Sequence, residues 1–417
     1  MSAVGEVDSG YSWYRLVVGL VLSTIGGVGM WAMVVALPAV QAEFGVARAD
    51  ASLPYTLTMI FFGVGSIVMG KLSDRYGIMV PVILGTLSLG IGYAGAAWSG
   101  GIGQYAIAHG IFVGFGTAAT FAPLLAHMSL WFEKRRGMAV GILASGNYLA
   151  GTIWPLIVAH FMGTDGWRAT FYGIAVFVVV TMLPLALLLK RPPPHVDSGS
   201  APTRFTGTPA SLGLSPSALQ TLLIIAGVAC CVAMSMPQVH LVAYCGDLGY
   251  GPARGAQMLS VMLACGIVSR LTFGVICDRI GGLRTLLIGS ALQGLSLLLF
   301  LPFDGLVSLF LISALFGLFQ GGIVPSYAII IREFFPPREA GARVGMVITA
   351  TLFGMALGGW MSGAIFDATG SYKAAFVNGI LWNLVNVSIA LWLLRRSQAG
   401  PVKRMGGDDA GITQARG

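Results

Sequence analysis

An all-α membrane protein of twelve spans, folded as two related six-helix bundles, is the architecture this sequence predicts, on three observations. Hydrophobic residues make up 56% of the 417 residues and charged residues 10%, whereas a soluble domain carries about a quarter charged residues. Apolar runs recur along the chain, each near the roughly 20 residues that span a bilayer as a helix. The chain also repeats itself: GKLSDRYG, from Gly70 to Gly77, returns as GVICDRIGG, from Gly274 to Gly282, an offset of 204 positions.

The apolar runs place spans at 16–40, 53–72, 79–99, 103–129, 138–162 and 168–189, then at 219–244, 256–277, 283–302, 306–331, 341–367 and 373–394. Residues 1–189 form the first bundle and 219–396 the second. The stretch 190–218 between them is rich in Pro, Gly and Ser and reads as a cytoplasmic linker; 397–417 reads as a cytoplasmic tail. The N-terminal MSAVGEVDSGYSWYR lacks a cleavable signal pattern, so the first run is expected to stay in the membrane. Of the 24 Lys and Arg residues, 19 fall at one face, counting loops, linker and tail; Arg48, Arg168, Arg254 and Lys373 fall at the other, and Arg270 lies within a span. The basic face is expected to be cytoplasmic, with both termini there, in a cell inner membrane. This asymmetry accounts for the net charge of +8 without a nucleic-acid partner, because no aromatic-interleaved basic stripe is present. The five cysteines include no CxxC pair and are expected to be free thiols.

The 204-residue offset continues beyond the twin motif, pairing Gly141 with Gly345 and Gly166 with Gly370. In the motif, Gly70 and Gly274 permit close helix approach, and Gly77 and Gly281 permit a tight turn. Asp74, Arg75, Asp278 and Arg279 are placed to form ion pairs and helix caps that break as one bundle rocks on the other; a static loop salt bridge is the plainer alternative. The twin motif resembles the loop signature of the major facilitator superfamily, which implies transport by alternating access around a site between the repeats.

A second motif, GFGTAATFAPLLAHMSLWFEKRRGMAVGILASGNYLAGTIWP, resembles the monocarboxylate porter and oxalate–formate antiporter branch of that superfamily. Trp131 and Phe132 supply its aromatic pair, Lys134 to Arg136 its basic cluster, and Gly137, Gly141, Gly146 and Gly151 its small residues. As a plainer role, the basic cluster anchors the inside face. The stretch PQVHLVAYCGDLGYGPARGAQMLS is also similar to this branch.

Arg270 falls where the branch places its carboxylate-binding arginine. A charge at mid-membrane costs about 2.5–3.5 kcal/mol on insertion scales and by default marks a functional site. Guanidinium is a planar fork of donors that binds carboxylate bidentately and stays charged. The alternative is pairing with an acid inside the bundle, and no Asp or Glu lies in the interior of a span; Asp247 and Asp367 sit only at span ends. The sequence departs from the branch in lacking a lysine after Pro38, an acid at Gly266 and a cation inside the eleventh span beyond Arg343. One positive charge is therefore expected in the cavity.

Polar groups elsewhere in the spans are expected mostly to bond between helices. Asn147, Tyr148, Gln320 and Tyr327 are the candidates for lining the cavity beside Arg270, and His240 is the candidate proton carrier. His109 has no supporting motif around it. Trp31, Phe121 and Trp154 are either pocket walls or packing. The expected function is secondary transport of a small organic monocarboxylate by a monomer, with a proton or in exchange for another anion. The rivals are a drug or hydrophobic-solute exporter of the same fold and a sensor built on a transporter scaffold. No nucleotide-binding loop, nucleophile–base pair or metal-ligand spacing is found, so neither an enzyme nor a cofactor is expected.

Overall fold

In a computed structural model, residues 7–193 and 209–399 are described; Arg204, Lys403, Arg404, Arg416, most of the linker and nearly all of the tail lie outside them. The chain forms α1 (Gly10–Phe44), α2 (Arg48–Tyr76), α3 (Met79–Ala97), α4 (Ile102–Met128) and a 51-residue run, Gly137–Leu187. It continues as α7 (Pro216–Asp247), α8 (Pro252–Ile280), α9 (Gly282–Leu299), α10 (Leu306–Phe334), α11 (Pro337–Thr369) and α12 (Tyr372–Ala399). The 51-residue run is too long for one crossing. It breaks at Gly166, whose φ of 79° and ψ of 167° leave the helix, and so comprises α5 (137–165) and α6 (167–187). Twelve helices put both described ends at one face, here the terminal face; the other is the far face.

Local chemistry sets the helix ends. Ser9 and Ser215 cap α1 and α7 by accepting the amides of Ser12 and Ala218, and Pro216 opens α7 where no amide partner is needed. The repeat is visible in the backbone. Gly77 and Gly281 turn with φ/ψ of 80°/165° and 85°/166°, conformations that only glycine adopts freely.

The bundles meet along two antiparallel seams. In the α2–α11 seam, the site for a Cβ on Gly363 abuts Ala49, that on Gly359 abuts Tyr55, and that on Gly63 touches Leu352. Two turns further toward the terminal face lie Gly70 and Gly345, and neither has a described atom within 4 Å of a Cβ site. The α5–α8 seam behaves in the same way. Gly151 packs on Leu263 and Gly266 on Tyr148, and Ala144 meets Arg270. One turn on, Gly141 and Gly274 again face open space. Both seams are closed at the far face and parted at the terminal face, and Arg270 is the last contact before the second one parts.

Candidate functional site between the bundles

Arg270 is half-buried at this fork. Its Nη1 donates to the Ala144 carbonyl of the first bundle at 3.2 Å and its Nε to the Gly321 carbonyl of the second at 3.5 Å. The Tyr148 ring lies 4.6 Å from the guanidinium carbon, a cation–π geometry. Nη2 makes no hydrogen bond and is not buried. Among the described residues no carboxylate pairs with this arginine. The Gly321 carbonyl is available because α10 breaks between Gln320 and Ile323. Within the break, glycine at 322 is a packing requirement, since a Cβ there would fall 2.1 Å from the Phe273 side chain.

Of the other predicted residues, Tyr148 joins Arg270 directly. Asn147, on the same helix face as Ala144 within one turn, borders a small notch, and its side chain makes no hydrogen bond. Gln320 adjoins Gly321, but is 1% exposed and accepts from Gln238 at 2.8 Å. One expectation needs correction. Tyr327 is fully buried inside the second bundle, where it donates to Asn386, which in turn donates to Ser290; it lines no cavity. His240 is also fully buried and lies toward the far face, with Nε2 donating to the Gly359 carbonyl at 2.8 Å and Nδ1 3.2 Å from the Tyr372 hydroxyl.

Nor is Arg270 the chain's one buried cation. Arg15 is enclosed at the terminal face among Trp131, His127 and the carbonyls of Leu189 and Arg191. Arg48, 7% exposed, closes the far face. Its guanidinium pairs with Asp247 of α7 at 3.1 Å and bonds the Tyr372 hydroxyl of α12. The Asp367 carboxylate of α11 accepts the Arg48 and Ala49 amides, each at 2.8 Å, and so caps α2 from the opposite bundle. His240 extends this network, the Tyr372 hydroxyl accepting from Arg48 and lying against the His240 ring nitrogen.

The repeat explains why this network crosses between bundles. Glu43, 204 positions before Asp247, is held by its own bundle, through Arg168 at 2.7 Å and the Trp167 indole. At the counterpart of Arg168 stands Tyr372, so Asp247 takes its cation, Arg48, from the other half. At the counterpart of Arg48 stands Pro252, which has no amide to be capped, and opposite Asp367 in the repeat stands Gly163.

The twin motifs lie at the parted face. Asp74, Arg75, Asp278 and Arg279 are exposed, and neither aspartate forms an ion pair among the described residues. The acid that does cap there is Glu333, which accepts the Gly282 amide at 2.9 Å.

Residues 19–282 and 246–411 match the Major Facilitator Superfamily. The chain belongs to that superfamily. It is 27% identical over 322 residues to monocarboxylate transporter 13 of Rattus norvegicus, covering 75% of this chain and 72% of that one. It is 24% identical over 330 residues to an agnestins efflux protein of Paecilomyces divaricatus, covering 79% and 74%. Among solved structures it superposes on a bacterial homologue of the human lysosomal transporter Spinster, in an inward-facing and unoccupied conformation. There the TM-score is 0.70 at 13% identity, over 94% of this chain and 96% of that one. Superfamily membership makes the protein a multi-pass membrane transporter of a small molecule.

Proposed function

We propose that the protein carries a small organic monocarboxylate across the membrane by alternating access, with Arg270 as the carboxylate anchor. One observation carries this reading: a guanidinium stands at the fork of the two bundles, has no acidic partner among the described residues, and directs an unbonded Nη2 into accessible space. In low dielectric a mobile carboxylate is the natural counter-ion for such a group. The relation to a monocarboxylate transporter agrees with it. With the basic terminal face in the cytoplasm of an inner membrane, the conformation is inward-facing. Tyr148, Asn147 and Gln320 complete the proposed site, and the protein works as a monomer without a cofactor.

The coupling ion is a proton, with His240 as its proposed acceptor. In the neutral ring Nε2–H donates to Gly359, leaving Nδ1 to accept from Tyr372. A second proton would displace that hydroxyl and set a cation beside Arg48, loosening the far-face closure. Anion exchange is the second reading, favoured by the Arg270 bond to Ala144, which ties the bundles together and for which a bound carboxylate would compete. Uptake of labelled monocarboxylates into proteoliposomes tests both. Uphill accumulation driven by an inward proton gradient is expected for symport, and uptake only against preloaded anion for exchange. Failure of every monocarboxylate tested, alongside uptake of uncharged or cationic solutes, would refute the assignment.

A further inference from the structure

Three polar side chains from three helices of the first bundle border one notch without any hydrogen bond. Ser23 of α1, Thr117 of α4 and Asn147 of α5 line it together with Gly27, Met30, Phe62, Phe121 and Thr120, whose hydroxyl donates to the Thr117 carbonyl. It is small, a cavity of about 10 Å³, which is room for a single hydroxyl-sized group. The Thr117 hydroxyl and the Asn147 amide oxygen are buried and unpartnered, and no bond engages the Ser23 hydroxyl. Thr24, Thr58, Thr86 and Thr152 all satisfy their hydroxyls on the carbonyl four residues back. Thr117 does not, and the helix just before it widens into a π-turn at Ala108–Val113, a distortion frequent at functional sites. The Thr117 side chain packs directly on Gly29 of α1, where a Cβ would lie 2.1 Å from its hydroxyl oxygen.

A buried unpartnered polar group costs about 1–3 kcal/mol, and a few convergent polar groups among apolar and aromatic walls are the ordinary make-up of a ligand pocket. Resting on the carboxylate reading of Arg270, we infer that the cargo carries a hydroxyl that enters this notch. A hydroxyl both donates and accepts, so it serves the Asn147 amide oxygen and the Thr117 hydroxyl together. Asn147 is three residues from Ala144, where Arg270 is held, which is about 4.5 Å of helix rise. A hydroxyl next to the carboxylate falls short of that distance, whereas one at C4 or C5 of a straight chain spans it. The substrate class is therefore a monocarboxylate hydroxylated several bonds from its carboxyl group, with the intervening carbons against Met30, Phe62 and Phe121.

The test measures binding to purified protein in nanodiscs by intrinsic tryptophan fluorescence, using valerate, 2-hydroxyvalerate and 5-hydroxyvalerate. 5-Hydroxyvalerate is expected to bind about tenfold more tightly than the other two, a factor that one well-made hydrogen bond supplies. Thr117→Val should abolish that preference, and Thr117→Ser should retain it. Wild-type protein that binds all three acids equally, or binds none, overturns the inference. Arg270→Gln separates it from its premise. Equal binding that still requires Arg270 refutes the notch alone. A hydroxyl preference that survives Arg270→Gln, and extends to 1,5-pentanediol over pentanol, refutes the carboxylate anchor.

Discussion

Asp247→Asn is the substitution from which the structure predicts most, because it removes, among the described residues, the only carboxylate paired with a buried arginine without removing a side chain's volume. Arg48 keeps its place over the Phe366 ring at 4.6 Å and its bond to Tyr372, but its charge is left uncompensated at the far-face closure. Breaking a fully buried pair in this way costs about 3–5 kcal/mol. Here the arginine side chain is 9% exposed but the aspartate 38%, and solvent screening brings the expected penalty nearer 1.5 kcal/mol. The penalty applies only while the far face is closed, since opening hydrates Arg48. A change of about 1.4 kcal/mol is tenfold in an equilibrium constant, so the closed-to-open ratio should fall about tenfold. Spin labels at Ala47 and Ala368, exposed residues on opposite sides of the far-face seam, would report this as a growing long-distance population in double electron–electron resonance. Adding Arg48→Gln to Asp247→Asn should recover part of the closed state, because no unpaired charge is then left to bury. A distance distribution unchanged by Asp247→Asn would refute the idea that this pair governs the far face.

Three further outcomes are expected. Arg270→Lys keeps a charge but loses the planar fork that reaches Ala144, Gly321 and a carboxylate together; transport should fall more than tenfold at normal membrane expression, and wild-type uptake would dismiss the anchor. Asp74→Asn and Asp278→Asn should slow turnover with little change in substrate affinity, because both lie at the parted face away from Arg270; an affinity loss like that of Arg270 variants would reassign them. A dicarboxylate of equal chain length should compete at least a hundredfold more weakly than its monocarboxylate when assayed above its second pKa, because a second carboxylate would enter unpaired at several kcal/mol; equal competition would reveal another cation in the cavity.

The helices and the half-chain repeat were legible because bilayer thickness imposes a length on every apolar run and because glycine alone fits the turns at 77 and 281. Span limits were read short where polar caps extend a helix beyond its apolar part, as Ser9 extends α1 and Ser215 extends α7. Arg270 stood out because it interrupts an apolar run. Arg15 and Arg48 did not, because they sit at helix ends, where sequence alone does not distinguish a solvated arginine from an enclosed one. Asp247 and Asp367 were visible as span-end acids, but their shared arginine lies some 200 and 320 positions away, and only the folded chain brings them together. The signal that would have exposed the pair is the repeat, which aligns Glu43 with Asp247 and Arg168 with Tyr372. Tyr327 and His240 illustrate the opposite limit. A polar residue in a span has the same appearance whether it faces a cavity or bonds within a bundle, and both proved to be bonded.

The unequal ends of the two halves bear on how they would behave as separate polypeptides. The first half neutralises its own acid, Glu43 with Arg168, and presents Arg48 as a surplus cation. The second half presents Asp247 and Asp367 with, among the described residues, no arginine of its own against either. Two copies of the first half would bring like charges together at the far-face seam, as would two copies of the second, whereas one of each reproduces the compensated arrangement. Co-expressed halves are therefore expected to sort into heterodimers rather than homodimers. Tyr372→Arg, by giving the second half its own counter-ion for Asp247, should erode that selectivity.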